Sequence, residues 1–141
     1  MIRKEKIKDA VYERNYVYNF HFHLIWATKY RKPVFVTSEL STEMKDILYK
    51  LARDKATTIE EMEVMPDHVH MLISFKPKCT PSNIVKYLKG QSARKFFKNH
   101  PEVRSDSFWG GSLWSHSYYM STLGNMSKET VEKYIRNQYT K

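Results

Sequence analysis

Two histidines one residue apart, His68 and His70, stand in the run Met65-Pro66-Asp67-His68-Val69-His70-Met71-Leu72. On a β-strand, residues i and i+2 project to one face. The two imidazoles would then sit side by side, at a spacing that lets one divalent metal share both nitrogens. A polar sheet face carrying surface histidines has the same spelling, and a second pair, His21-Phe22-His23, shows how readily the pattern arises. Near the end of the chain Val131, Tyr134, Ile135 and Gln138 follow at i, i+3, i+4 and i+7, one face of a helix. A structural stripe usually carries Leu or Ala at the fourth place, because burying an unpartnered amide costs about 1–3 kcal/mol. Gln138 therefore either takes a ligand or stays wet near the terminus. Tyr134, one turn earlier, either brings a phenol to whatever Gln138 binds or is a core tyrosine with a satisfied hydroxyl.

The elements that would position these groups can be read in order. Residues 1–15 form a charged leader without a sustained period, an arm that is flexible or partly helical. From Tyr16 to Ala27 the alternation is close to strict, which predicts one long strand. Thr28-Lys29-Tyr30-Arg31-Lys32-Pro33 ends it as a basic loop. Thr37 and Ser38 start a helix in which Met44, Ile47, Leu48 and Leu51 share a face. A strand over Thr57–Met65, marked as solvated or an edge by Glu60-Glu61, turns at Pro66-Asp67 into a strand over His68–Phe75. In that strand Val69, Met71, Ile73 and Phe75 face one way and His68, His70, Leu72 and Ser74 the other.

Thr80-Pro81 opens a second helix, the most basic element, which runs to about Lys98 and ends at His100-Pro101. A glycine turn at Phe108–Trp114 leads into a β-like run over Leu113–Thr122. Gly124-Asn125 then breaks the chain before a final helix over Lys128–Gln138. The order strand, helix, strand, strand, helix, strand defines an α+β, ferredoxin-like split βαβ fold. Two helices cover one face of an antiparallel sheet, and an added C-terminal helix carries the tyrosine.

Composition bounds the partners. A chain of 141 residues, 41% hydrophobic, fits a single domain over 1–141 with enough apolar material for a core. Its 24 Lys+Arg against 15 Asp+Glu leave +9, a balance that favours nucleic acid or an anionic surface, or serves solubility alone. No apolar run approaches the roughly 20 residues that span a bilayer. The leader is too polar for a signal peptide. A lone Cys79 removes intrachain disulfides and all-cysteine zinc sites. A cytoplasmic protein is expected.

Five ordered motifs then resemble a known family. His23-Leu24-Ile25-Trp26-Ala27-Thr28-Lys29-Tyr30-Arg31, the run around His68 and His70, and Leu88-Lys89-Gly90-Gln91-Ser92-Ala93-Arg94 are similar to segments of the IS200/IS605-family transposases. So are the stretch from Trp109-Gly110-Gly111 through Leu113-Trp114-Ser115, Ser117-Tyr118-Tyr119 and Ser121-Thr122-Leu123-Gly124-Asn125, and the closing Tyr134-Ile135-Arg136-Asn137-Gln138. The likeness covers nearly everything after residue 15. It implies a single-tyrosine HUH transposase in which His68, His70 and Gln138 hold a divalent ion, Mg²⁺ or Mn²⁺, and Tyr134 is the nucleophile that forms a 5′-phosphotyrosine. It also implies single-stranded DNA with hairpin ends as substrate. A homodimer is implied too, in which the tyrosine helix of one subunit can complete the histidine pair of the other.

Lys29, Arg31, Lys89 and Arg94 are candidates for phosphate contacts, or plain solvated charges, and Tyr30 for stacking on an unpaired base. His116 stands where relatives often carry proline, and His21 is not part of the family pattern. The competing readings are a domesticated relative acting on repetitive palindromes, a non-catalytic DNA-hairpin-binding dimer, and a phosphoesterase using both histidine pairs and water.

Overall fold

The structure, a computed structural model, describes residues 11–13, 16–18, 21–75, 80–122 and 133. The predicted helix over Lys128–Gln138, with Tyr134 and Gln138, lies outside the described residues except for Lys133, as does Cys79.

Strands β1 (Val11–Glu13) and β2 (Tyr16–Tyr18) pair antiparallel as a two-stranded ribbon, with Val11 opposite Tyr18 and Glu13 opposite Tyr16. This corrects two expectations. Part of the leader is strand, and the run from Tyr16 to Ala27 serves two sheets, because period two identifies a strand but not the sheet it joins. The main sheet comprises β3 (His21–Ala27), β4 (Thr57–Met65), β5 (His68–Phe75) and β6 (Tyr119–Thr122), in the order β4-β5-β3-β6. All pairings are antiparallel. Counting only these four strands, the first and third lie at the centre and the second and fourth at the edges, the ferredoxin-like order expected from the sequence. The acidic strand β4 is indeed an edge.

Helices α1 (Ser38–Asp54), α2 (Pro81–Asn99) and α3 (Pro101–Phe108) complete the α+β fold. Thr37 Oγ1 accepts from the Leu40 amide at 3.2 Å and Thr80 Oγ1 from the Asn83 amide at 3.3 Å, so both long helices begin on a side-chain cap. Leu24 and Trp26 of β3, Val69, Met71 and Ile73 of β5, and Ile59, Met62 and Val64 of β4 bury one sheet face. Met44, Leu48 and Leu51 of α1, Ile84, Leu88 and Phe96 of α2, and Phe108 of α3 meet them. Helix α3 was not anticipated. Pro101 ends α2 as expected, yet it also occupies the first turn of the next helix, where its fixed φ and missing N–H are tolerated.

The β-like run also divides. Thr28 bridges Trp114, but the ladder proper begins only at Tyr119. Between them the carbonyls of Ser115 and Ser117 accept from Lys89 Nζ at 2.6 and 3.1 Å, so a side chain takes bonds that a neighbouring strand would otherwise supply. Trp114 closes the core from this segment: its indole packs edge-on to Trp26 and donates from Nε1 to Ser92 Oγ at 3.0 Å, in a buried contact. Ser92→Ala strands that buried N–H. The variant is expected to lose about 1–3 kcal/mol of stability, read as a lower urea midpoint at unchanged m-value.

Candidate functional site

The core face consumes alternate residues of β3 and β5, and their neighbours therefore line the opposite face. Register places Ala27 across from His68, Ile25 from His70, His23 from Leu72 and His21 from Ser74. Cross-strand partners share a face, so His21, His23, His68 and His70 all lie on the side away from the helices. There His23 Nδ1 approaches His70 Nε2 to 3.3 Å, with ring centroids 5.4 Å apart. Ile25 and Ala27, on the same face, are fully buried. His21 is buried as well, with its Nδ1 3.5 Å from Glu60 Oε2.

His68 begins β5 immediately after the Pro66-Asp67 turn, and the turn is clamped. The Pro66 carbonyl accepts from the amides of Val34 and Phe35 at 2.8 and 3.1 Å, and the Asp67 carbonyl from the Thr28 amide at 2.9 Å. The Asp67 carboxylate then binds two ways. One oxygen accepts from His68 Nδ1 at 2.9 Å; the other accepts from Arg31 Nε at 2.8 Å and also contacts the Arg31 terminal nitrogen. A carboxylate accepts and does not donate, so His68 donates from Nδ1, and Nε2 is the ring nitrogen that Asp67 does not engage. Burial, and then the like charge of His23, hold His70 below the ordinary imidazole range, with Glu63 opposing. At neutral pH His70 is thus uncharged, the form that ligates.

Two features of these donors fit a divalent ion. His68 is oriented by a carboxylate behind it, the usual support of a metal-bound imidazole, and His70 is neutral with a third imidazole beside it. Among the described residues no group of three or more His, Cys, Asp or Glu side chains surrounds a common point. Two imidazoles alone would need a further ligand, and Gln138, the one implied by the family resemblance, lies outside the described residues.

The expected phosphate-binding residues fall in different settings. Lys29, Tyr30 and Arg31 form a single 3-10 turn after β3. Arg31 is turned to Asp67, while Tyr30 is 49% exposed. Tyr30 and Arg31 adopt φ of 61° and 55°, and Trp109, at the end of α3, adopts 50°. Left-handed backbone at residues other than glycine costs about 1–3 kcal/mol each. Lys89 and Arg94 line an open groove of about 1030 Å³ between α2, α3 and the 110–118 segment. Lys86, Lys98, Arg104 and the exposed His116 share it, and none of its lining residues is acidic. Burial lowers the Lys89 ammonium from 10.5 to about 8.

Two residues of this site carried weaker sequence signals. Asp67 reads first as turn chemistry; the clue to its second role is a carboxylate directly before a histidine at a strand start. His23 belongs to the second histidine pair, and only the strand register could bring it to His70.

This four-stranded antiparallel fold is that of a solved transposase domain. A crystal structure of a Deinococcus radiodurans R1 transposase superposes with a TM-score of 0.84 at 40% identity, over 92% of this chain and 98% of that one. The family profile described as "Transposase IS200 like" matches residues 16–138, and the chain belongs to that family. The ISDra2 transposase TnpA of Deinococcus radiodurans is 42% identical over 91% of this chain and 90% of its own. The Salmonella typhimurium transposase for insertion sequence element IS200 is 31% identical over 86% and 78%. A REP-associated tyrosine transposase, solved bound to a REP hairpin, shares the fold at a TM-score of 0.54 and 15% identity, over 90% of this chain and 67% of that one. Among the described residues no helix is long and apolar enough to cross a membrane.

Lys89 makes the stability of this fold depend on alkaline pH in a calculable direction. Its folded-state value of about 8 lies below 10.5, so between those pH values the unfolded chain binds more protons and stability rises with pH. Lys89→Met should flatten that rise, measured as the difference in unfolding free energy between pH 7.5 and 10 for the two proteins.

Proposed function

We propose that this chain cleaves and rejoins single-stranded DNA at insertion-sequence ends through a 5′-phosphotyrosine at Tyr134. The observation that carries the reading is the His68–His70 pair, with His68 held by Asp67 at 2.9 Å and His70 kept neutral, in a member of a transposase family. His68 and His70, with Gln138, hold Mg²⁺ or Mn²⁺. That ion supplies charge neutralisation and polarisation at the scissile phosphate.

Tyr134 Oη attacks phosphorus, the bond from phosphorus to the 3′ oxygen breaks, and the departing oxygen leaves as a 3′-hydroxyl with a proton. The chain keeps the 5′ phosphate as an ester of the phenol. Attack by another 3′-hydroxyl restores the phenol and joins the strands. Each step exchanges one phosphate ester for another, so no nucleotide hydrolysis is required; the sequence accordingly contains no GxxxxGK[ST] loop. An ordinary phenol titrates near pH 10, roughly three units above neutrality, and Tyr134 therefore needs help to lose its proton.

The substrate in this reading carries hairpins near the element ends, and the working unit is a homodimer. In it, the tyrosine helix of one copy serves its own histidine pair or its partner's. The +9 charge and the acid-free groove beside α2 support a polyanion.

With labelled single strands from the element's own ends and Mg²⁺ or Mn²⁺, the protein is expected to give a DNA–protein band that survives denaturing electrophoresis. Tyr134→Phe should abolish the band and leave binding intact. Binding without any adduct in the natural sequence would instead mean a hairpin-binding dimer. Cleavage that persists in Tyr134→Phe would mean water-based phosphoester hydrolysis, for which His23 beside His70 offers the additional imidazole. A second expectation concerns Asp67. Its replacement by Asn removes the carboxylate behind His68 and should weaken Mn²⁺ binding by about 10–100-fold, measured by the free-Mn²⁺ resonance signal.

A further inference from the structure

The corner that carries Arg31 also presents two aromatic rings to solvent. Tyr30 is 49% exposed and Trp109 is 73% exposed, and their rings meet edge to face at 6.1 Å between centroids. Lys32 Nζ lies 4.7 Å from the Trp109 ring centroid, and Lys29 Nζ 5.5 Å from that of Tyr30. Exposed aromatics on a water-soluble surface forgo hydrophobic burial, and both of these also stand on left-handed backbone.

The surroundings hold that costly conformation in place. The Arg31 amide donates to the Thr28 carbonyl at 3.0 Å, Thr28 Oγ1 to the Lys32 carbonyl at 2.7 Å, and the Lys29 amide to the Leu113 carbonyl at 2.8 Å. On the other side the Gly110 amide donates to the Arg104 carbonyl at 3.0 Å, with Gly110 itself at φ +78°. The helix end accounts for the left-handed backbone at Trp109, but not for leaving its ring, and that of Tyr30, open to solvent side by side.

We propose that Tyr30 and Trp109 form a stacking platform for an unpaired base of single-stranded DNA, with Lys29 and Lys32 on the flanking phosphates. The assignment rests on the single-stranded-DNA reading above and adds a binding site to it. Aromatic faces accept any base, and interleaved cations follow the backbone, the combination that single-strand binding requires. The groove lined by Lys86, Arg94, Lys98 and Arg104 reaches Gly110 and Gly111, directly beside Trp109, so cationic surface continues from the platform along α2. In the other direction Arg31, next to Tyr30, binds Asp67, which orients His68. The platform's Tyr30 thus lies on the same loop as the arginine that holds Asp67 behind His68.

The chain carries its own reporter. Of its three tryptophans, Trp26 and Trp114 are buried at 0% and 4% exposure, and only Trp109 is open to a stacking base. In EDTA, which prevents cleavage, a short oligothymidylate is expected to quench the emission of the full-length protein, while a blunt duplex of equal charge leaves it nearly unchanged. Trp109→Leu and Tyr30→Leu should each weaken oligothymidylate binding by about 5- to 100-fold, and Tyr30→Phe, which keeps the ring, should retain it. Quenching of the natural sequence needs no variant, so a misfolded Trp109→Leu leaves the test standing.

Equal quenching by duplex, unchanged affinity in both leucine variants, or emission that shifts with protein concentration alone would overturn the platform; the last would indicate self-association. Adduct formation measured on the same preparation separates the two readings. An adduct without quenching removes the platform and spares the phosphotyrosine reading, and quenching without an adduct does the reverse.

Discussion

The carboxylate of Asp67 is the junction on which the site depends. It accepts from His68 on one side and from Arg31 on the other, and the backbone on either side of it is fastened by the amides of Thr28, Val34 and Phe35. None of these contacts belongs to a helix or a regular ladder. They arise because the loop leaving β3 crosses over the tip of the β4–β5 hairpin, which sets the imidazole at the start of β5 in a single tautomer. Without the clasp, His68 would be a surface residue free to rotate, with either ring nitrogen protonated. The clasp itself depends on the core beneath it. Val34 and Phe35 are buried, and Phe35 packs between Phe96 and Trp114, so the loop is anchored through its apolar residues while its polar atoms grip the turn.

Charge on this molecule is managed differently in different places. His70 is kept uncharged by burial and by a neighbouring imidazole, which suits a ligand and would not suit a phosphate contact. Lys89, half enclosed, donates to two carbonyls and thereby shapes the segment that leads to β6. Arg31 serves a carboxylate. The basic residues best placed to meet a polyanion are therefore those with no such internal task named above: Lys86, Arg94 and Lys98 on the groove wall, and Lys29 and Lys32 beside exposed rings. Net charge alone could not have made this division.

Much of the fold was legible because it follows from periodicity. The alternation in β5 separated its two faces residue by residue, and Thr37, Thr80 and Pro81 marked helix starts correctly. What failed had local physical reasons. Pro101 reads as a terminator, and the same ring geometry that ends α2 favours the first turn of α3. Tyr16–Ala27 reads as one strand, since alternation is blind to the partner sheet. Leu113–Ser117 has β-like composition, yet a lysine from α2 claims its carbonyls. The imidazole pair was visible from its spacing, whereas His23 and the Arg31–Asp67–His68 chain were not, since only strand register and a loop crossing join residues 36 to 47 positions apart. Tyr134 and Gln138 drew attention by type and spacing alone.

Strand β4 has a consequence for traffic toward the imidazoles. Its Glu61 and Glu63 sit opposite Leu72 and His70 in the ladder, on the histidine face, along an outer margin that no further strand covers among the described residues. A phosphate chain crossing that margin would meet two carboxylates before any nitrogen. At the end of the sheet where β3 passes into the 28–35 loop, it would meet ammonium groups instead. Charge is thus polarised across this face: a polyanion would be repelled at the acidic border of β4 and attracted at the lysine-bearing corner after β3.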